Sequence, residues 1–362
     1  MVIDQAILLD CDTIPHNALR KRVIPGLDAM RAIAITLVVA YHLGAPVSGS
    51  LGVMIYFVLS GFLITSLLLK EIRRSGTVSL RNFYRRRAFR IFPAFYLCWV
   101  VTTLVVVFVW HQPVIWKQTM ASFFYLANYA RAVLPGVQQV TFHMGISWSL
   151  AIEEQFYLIW SFTLIWIMYK PHRAGRVVGG TIWTIWLWRA LLMLRFGVGW
   201  SYAYNAFDTR ADALMVGSLL AIVLYGDAIP SYLFALVSKK WLAIIPIVAL
   251  AAVSYLDLHT PHSLYLQLFN FSLAPVFTAV VLLQWVFWGW AVLEHWAAKW
   301  VARLSYSIYL YHPIVLGFMG HIPVRHGQRL LAIPLILAVA SASCCLIERP
   351  FMRMRGNHET KR

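Results

Sequence analysis

The chain has 362 residues, of which 60% are hydrophobic and only 12% charged, and its formal net charge is +17. An average soluble domain is about half apolar and about a quarter charged. There is too little charge here to cover a soluble surface, which excludes a cytosolic enzyme, a secreted disulfide scaffold and a disordered chain. A mean hydropathy of +0.69 leaves a polytopic membrane protein. A pI near 10 would suit a nucleic-acid binder, but the Lys and Arg residues sit between apolar runs, so no nucleic-acid partner is expected.

Residues 1–23 read as a short tail. They carry Asp4, Asp10 and Asp12 and end on Arg20-Lys21-Arg22, which argues for a topogenic charge group and against a cleavable leader. A spanning helix takes about 20 mostly apolar residues. Ten segments qualify, near 25–44, 51–69, 89–110, 147–169, 177–194, 209–225, 241–257, 266–288, 301–320 and 329–347. Residues 111–146 add a re-entrant or interfacial piece centred on apolar 120–127. The expected fold is an all-α helix bundle with about ten transmembrane helices. Its parts are a tail at 1–23, a transmembrane domain at 24–352 and a second tail at 353–362.

Excess Lys and Arg marks the cytoplasmic side of a membrane. Successive groups at Arg20–Arg22, Lys70–Arg90, Lys170–Arg176, Lys239–Lys240, Lys299–Arg303 and Arg349–Arg362 hold most of the 31 basic residues. With ten spans they all fall on one face, so both termini are expected in the cytoplasm. The four cysteines, Cys11, Cys98, Cys344 and Cys345, form no metal-type spacing, and no metal is expected.

Ionisable groups inside spans ask for a reason. The first span carries Asp28, Arg31 and His42. At about 100° per residue, Arg31 and His42 share one face about 16 Å apart, and Asp28 lies one turn before Arg31. The bland reading pairs Asp28 with Arg31 near the interface and bonds His42 to a neighbouring helix. The fourth span opens with Glu153 and Glu154, which point about 100° apart, so at most one faces a given cavity. One of them pairs with an arginine of another helix in the structural reading, and serves chemistry in the functional one. The sixth begins Asp208-Thr209-Arg210-Ala211-Asp212, blandly an interfacial salt-bridge group. The ninth contains Ser305 and ends on His312-Pro313; the proline frees backbone groups for a ligand or a neighbour. Finally, Arg85, Arg86, Arg87 and Arg90 crowd one cytoplasmic mouth. They suit anionic lipid or phosphate, whose oxygens match guanidinium forks. Composition leaves both standing.

In this order, the segments resemble the acyltransferase 3 family of integral membrane acyltransferases. The resemblance begins at Gly26-Leu27-Asp28-Ala29-Met30-Arg31 and reaches Tyr41-His42, with ten residues between Arg31 and His42. It continues through Phe57-Val58-Leu59-Ser60-Gly61-Phe62, Arg87-Ala88-Phe89-Arg90, Trp148-Ser149-Leu150 with Glu153-Glu154-Gln155-Phe156-Tyr157, and Arg210 with Asp212 and Gly217. It closes on Ser305-Tyr306 with His312 and on Glu348-Arg349-Pro350-Phe351. Three positions depart from the family pattern: Met54 replaces a common aspartate, Ser161 a common proline, and the histidine usual before Trp148 is displaced to His143.

The resemblance implies an O-acyltransferase of a bacterial-type inner membrane. It would move an acyl group, usually acetyl from cytoplasmic acetyl-CoA, to a hydroxyl of a surface or secreted glycan. On that reading His42 is the general base, and Glu153 or Glu154 orients its imidazole or binds sugar. Arg31, Arg86, Arg87 and Arg90 hold the donor. Asp28, Ser60, Arg210, Asp212, Ser305 and His312 serve substrate or structure. The alternatives are a transporter or flippase without covalent chemistry and an assembly subunit of an envelope complex.

Overall fold

The computed structural model describes residues 26–134, 144–226, 231–260, 263–321 and 330–359. The expected tail at 1–23 with its Arg20-Lys21-Arg22 cluster, and His143, lie outside them. Among the described residues every regular element is helical. In chain order these are α1 Leu27–His42, α2 Gly49–Ser75, α3 Leu80–Leu104 with a wide turn Val105–Val109, α4 Trp116–Phe123 and α5 Ala127–Val133. Then come α6 Ser147–Met168, α7 Pro171–Leu194, α8 Trp200–Asn205, α9 Phe207–Leu224, α10 Ser231–Val237 and α11 Ile244–His259 after a tight turn Lys240–Ala243. The last are α12 Leu264–Trp288, α13 Trp296–His321, α14 Ala332–Ser343, a wide turn Cys344–Glu348 and α15 Arg349–Glu359.

Among the described residues, seven helical stretches are long and apolar enough to cross a membrane: α2, α3 with its wide turn, α6, α7, Lys240–His259, Gln267–Trp288 and Ala332–Met354. The chain is a multi-pass membrane protein. Helices also occupy the other three expected segments, but α1 has only 16 residues, α9 carries Asp208, Arg210 and Asp212, and α13 opens with Lys299 and Arg303. Within the segment expected as a re-entrant or interfacial piece lie the two short helices α4 and α5. Most of the segment expected as a C-terminal tail continues as α15.

The polar helix α9 is an inner one. α9 is buried along nearly its whole length and packs most extensively against α2, while α1 packs between α2 and α13. Lipid tails give no hydrophobic drive between helices, so close backbone approach supplies the packing. A Cβ on Gly61 would sit 1.8 Å from the Leu214 carbonyl oxygen, and one on Gly217 1.9 Å from that of Val58. Only glycine fits either place. Ser218 on α9 adds a hydrogen bond to the Gly61 carbonyl (3.2 Å).

Candidate functional site

α1, α2, α3, α6 and α13 enclose a cavity of about 320 Å³. Its polar lining consists of Arg31, Tyr56, Ser60, Arg87, Arg90, Ser149, Glu153, Tyr157, Ser305, Tyr306 and Tyr309. A second cavity of about 620 Å³ lies between α2 and α3, lined by Lys70, Glu71, Arg74, Arg86, Arg87 and Arg90 among others. The two share Leu67, Arg87 and Arg90. A basic outer chamber thus adjoins a smaller inner one, with two arginines at the junction.

Two helical repeats build the outer chamber. Lys70 and Arg74 are one turn apart on α2, and Arg86, Arg87 and Arg90 fall within about one turn on α3. Arg86 is paired with Glu71 at 3.0 Å. Arg87 lies over the Tyr157 ring, 3.4 Å from its centroid, a cation–π contact that fixes the guanidinium at the junction. Arg85 lines neither chamber. The four clustered arginines therefore divide, three toward the chambers and one away.

In the inner chamber Glu153 accepts a hydrogen bond from the Tyr157 hydroxyl (3.3 Å), and that hydroxyl also meets Ser60. Glu153 lines the chamber and Glu154 does not, as the angle between neighbours on a helix requires. Asp28 pairs with Arg31 at 3.6 Å, and Tyr56 donates to the Arg31 carbonyl (3.2 Å). Ser305 donates to Ala302 within its own helix (2.8 Å).

His42 closes α1 half-buried, its Nδ1 2.8 Å from the Val38 carbonyl. A carbonyl only accepts, so Nδ1 carries the proton and Nε2 is left as the basic nitrogen. Among the described residues no carboxylate is hydrogen-bonded to the His42 ring. Glu153 is held at Tyr157, and the backbone of the preceding turn orients the imidazole instead. His42 does not line the inner chamber. Its ring lies 4.9 Å from that of His312, and His312 lies 5.8 Å from Tyr309, which does line the chamber. Tyr309 donates to the Ile146 carbonyl (3.0 Å) and meets Ser149 at 2.5 Å.

The group at the head of α9 is not an interfacial salt bridge. Asp212 is fully buried and pairs with equally buried Arg189 of α7 at 3.0 Å, and Trp186 donates to it at 2.9 Å. Arg189 also donates to the Thr209 carbonyl (2.5 Å) and to Ser272 (2.8 Å). Arg210 sits among aromatic rings, 4.5 Å from Phe271, 5.3 Å from Tyr204 and 5.9 Å from Phe57, with Met54 sulfur at 3.9 Å. The departure at Met54 thus puts a thioether against a buried guanidinium.

Sequence reasoning passed over Lys70 and Arg74, read there only as topogenic charge, although their one-turn spacing already put them on one face. It also missed Arg189, whose single charge in an apolar span was the available signal, and Tyr157 and Tyr309, which look in sequence like belt aromatics. Among the described residues no group of three or more His, Cys, Asp or Glu side chains could hold a metal.

The protein is thus a membrane helix bundle with an inner chamber walled by five helices, adjoining a basic outer chamber at Arg87 and Arg90. A family model described as an acyltransferase domain matches residues 24–349, and the chain belongs to the acyltransferase 3 family. It is 32% identical over 322 residues to the peptidoglycan O-acetyltransferase OatA of Listeria monocytogenes, covering 82% of this chain and 50% of that protein. It is 31% identical over 330 residues to the putative peptidoglycan O-acetyltransferase YrhL of Bacillus subtilis, covering 83% and 50%. A putative O-acetyltransferase of Staphylococcus aureus is 28% identical over 358 residues, covering 92% and 58%. The chain spans about half the length of the first two relatives. No solved structure matches it.

Proposed function

We propose that the protein is an inner-membrane O-acetyltransferase that carries acetyl from cytoplasmic acetyl-CoA to a hydroxyl of a cell-envelope glycan, of the kind named for its peptidoglycan-modifying relatives. The observation that carries this reading is the pair of adjoining chambers with Arg87 and Arg90 at their junction. Their residues fit the donor: Lys70, Arg74 and Arg86 would hold its phosphates, and the narrow inner chamber suits a thin pantetheine arm. The donor supplies an activated acyl thioester.

Arg87 and Arg90 secure the approach, and Arg31, steadied by Asp28, faces the acyl end from α1. Glu153 and Ser60 hold the Tyr157 hydroxyl, keeping the ring under Arg87. His42, with Nε2 as its basic nitrogen, takes the acceptor hydroxyl proton from the opposite side. For a thioester to meet that hydroxyl, Tyr309 and His312, whose rings lie in series between the chamber lining and His42, must yield. On this reading the chain has ten spans and both termini face the cytoplasm.

Membranes containing the protein are supplied with acetyl-labelled CoA and peptidoglycan fragments. The expected result is alkali-labile label on the glycan, reduced about 10²- to 10⁴-fold by His42→Ala in protein that still inserts. Passage of unmodified glycan with no label transferred would overturn the proposal in favour of a transporter.

A further inference from the structure

The two chambers follow one another along α2. Ser60 lines the inner chamber, Leu67 lines both, and Lys70 and Arg74 line only the outer one. Lys70 lies about one turn and Arg74 about two turns beyond Leu67, away from the inner chamber. The outer chamber is also the larger, about 620 Å³ against about 320 Å³, and Ile64, Leu68 and Phe83 give it an apolar wall. Its cations are not equivalent. Arg86 is held by Glu71 at 3.0 Å, and the other oxygen of Glu71 accepts from the Ser79 N–H (2.9 Å). Arg87 stands over the Tyr157 ring, a contact that uses the face of the guanidinium and not its N–H edge. Lys70 and Arg74 make no side-chain ion pair or hydrogen bond among the described residues. With Glu71 cancelling Arg86, the outer chamber keeps two positive charges, on Lys70 and Arg74, and the junction carries two more, on Arg87 and Arg90.

A thioester donor of the CoA type has the same order. A bulky nucleoside with a 3′-phosphate comes first, a diphosphate bridge next and a thin pantetheine arm last. A phosphate monoester carries about −1.5 to −2 charges at pH 7, which the two unpaired cations of the outer chamber balance. The diphosphate bridge, with one charge on each phosphate, is balanced by the two arginines at the junction. We propose that Lys70 and Arg74 are specificity-determining residues that bind the 3′-phosphate of the donor, while Arg87 and Arg90 take its diphosphate. This rests on the acetyl-CoA reading above and adds which phosphate each pair of cations takes. It makes the outer chamber a nucleotide site that chooses among thioesters. A carrier that ends at the pantetheine phosphate, as on an acyl carrier protein, reaches the junction and leaves Lys70 and Arg74 unfilled.

The experiment measures kcat and KM of the purified full chain, in nanodiscs of zwitterionic lipid, for acetyl-CoA and for 3′-dephospho-acetyl-CoA. Wild type, Lys70→Ala, Arg74→Ala and Arg90→Ala are compared after each is scored for monodisperse elution. We expect wild type to show a KM about 10- to 100-fold higher for the dephospho donor, as loss of charge-assisted hydrogen bonds implies. Lys70→Ala and Arg74→Ala should each raise the acetyl-CoA KM about 3- to 10-fold and leave that of the dephospho donor within about two-fold. Arg90→Ala should raise both. Adenosine 3′,5′-bisphosphate should compete with acetyl-CoA in wild type and lose that effect in Arg74→Ala. Equal KM values for the two donors in wild type overturn the inference, and this comparison needs no variant to fold. Equal rises on both donors in Lys70→Ala and Arg74→Ala overturn it too, making the pair general steering charges. Competition by phosphatidylglycerol in the nanodisc, with none by the bisphosphate, would assign the cluster to lipid headgroups and overturn it as well. If wild type transfers from neither donor, the acetyl-CoA reading falls and takes this inference with it; transfer from both donors at one KM removes the inference alone.

Discussion

Gly61 of α2 lies directly against the backbone carbonyl of Leu214 of α9, and Gly217 of α9 lies in the same way against Val58 of α2. A Cβ on either would come within 2 Å of a carbonyl oxygen of the other helix. Backbone cannot yield as a flexible side chain can, so the contact sets how close the buried polar helix lies to the wall of the inner chamber.

Gly61→Ala and Gly217→Ala are therefore expected to destabilise the bundle by at least the roughly 1–3 kcal/mol typical of overpacking. Gly179→Ala and Gly180→Ala, where an added Cβ meets nothing within 4 Å, leave it unharmed. Thermal unfolding in detergent, followed by loss of monodisperse protein, checks both. Equal behaviour of the two sets would refute the contact.

The Arg189–Asp212 pair is fully buried at 3.0 Å. Removing one partner strands a charge in a medium that cannot solvate it, so Asp212→Ala should cost about 3–5 kcal/mol. The double variant Arg189→Met with Asp212→Leu should be closer to wild type than Asp212→Ala alone, because it leaves no orphan charge. Unfolding midpoints of the three proteins test this, and a double variant worse than the single one would count against it.

At the outer chamber Glu71 neutralises Arg86 across a partly exposed ion pair. Such pairs are worth about 0.2–1 kcal/mol. Glu71→Gln should free the guanidinium for phosphate and lower the acetyl-CoA KM by up to about five-fold. Arg74→Ala and Arg90→Ala should raise it and weaken its dependence on salt. Initial rates against donor concentration at two ionic strengths decide the matter; no change in KM for any of the three would return these arginines to the role of lipid anchors.

Ten spans and cytoplasmic termini require the clustered basic loops at Lys70–Arg90, Lys170–Arg176, Lys239–Lys240, Lys299–Arg303 and Arg349–Arg353 to face one compartment. Cysteines placed singly at Gly76, Lys170 and Lys239 should all resist an impermeant thiol reagent in intact cells. A cysteine at Gly197, between α7 and α8, should react. Labelling of any of the first three from outside would break the alternation.

Much of this protein was legible along the chain. Its membrane class follows from composition, because hydrocarbon admits few charges. The α1 stripe of Asp28, Arg31 and His42 follows from helical spacing, and the ordered motifs point to the acyltransferase 3 family, in which the chain indeed falls. Ordered motifs survive in sequence because each is local, a few residues on one helix turn. What only the tertiary structure decided are relations between helices. It turned Glu153 rather than Glu154 into the chamber, sent Arg85 away from Arg86, Arg87 and Arg90, and gave Asp212 to Arg189 from another helix. It set His312 rather than a carboxylate beside His42. The physical reason is that periodicity states which residues share a face, while the partner of that face depends on where backbones can approach, and here that is governed by contacts such as Gly61 on Leu214, between residues 153 positions apart in the chain.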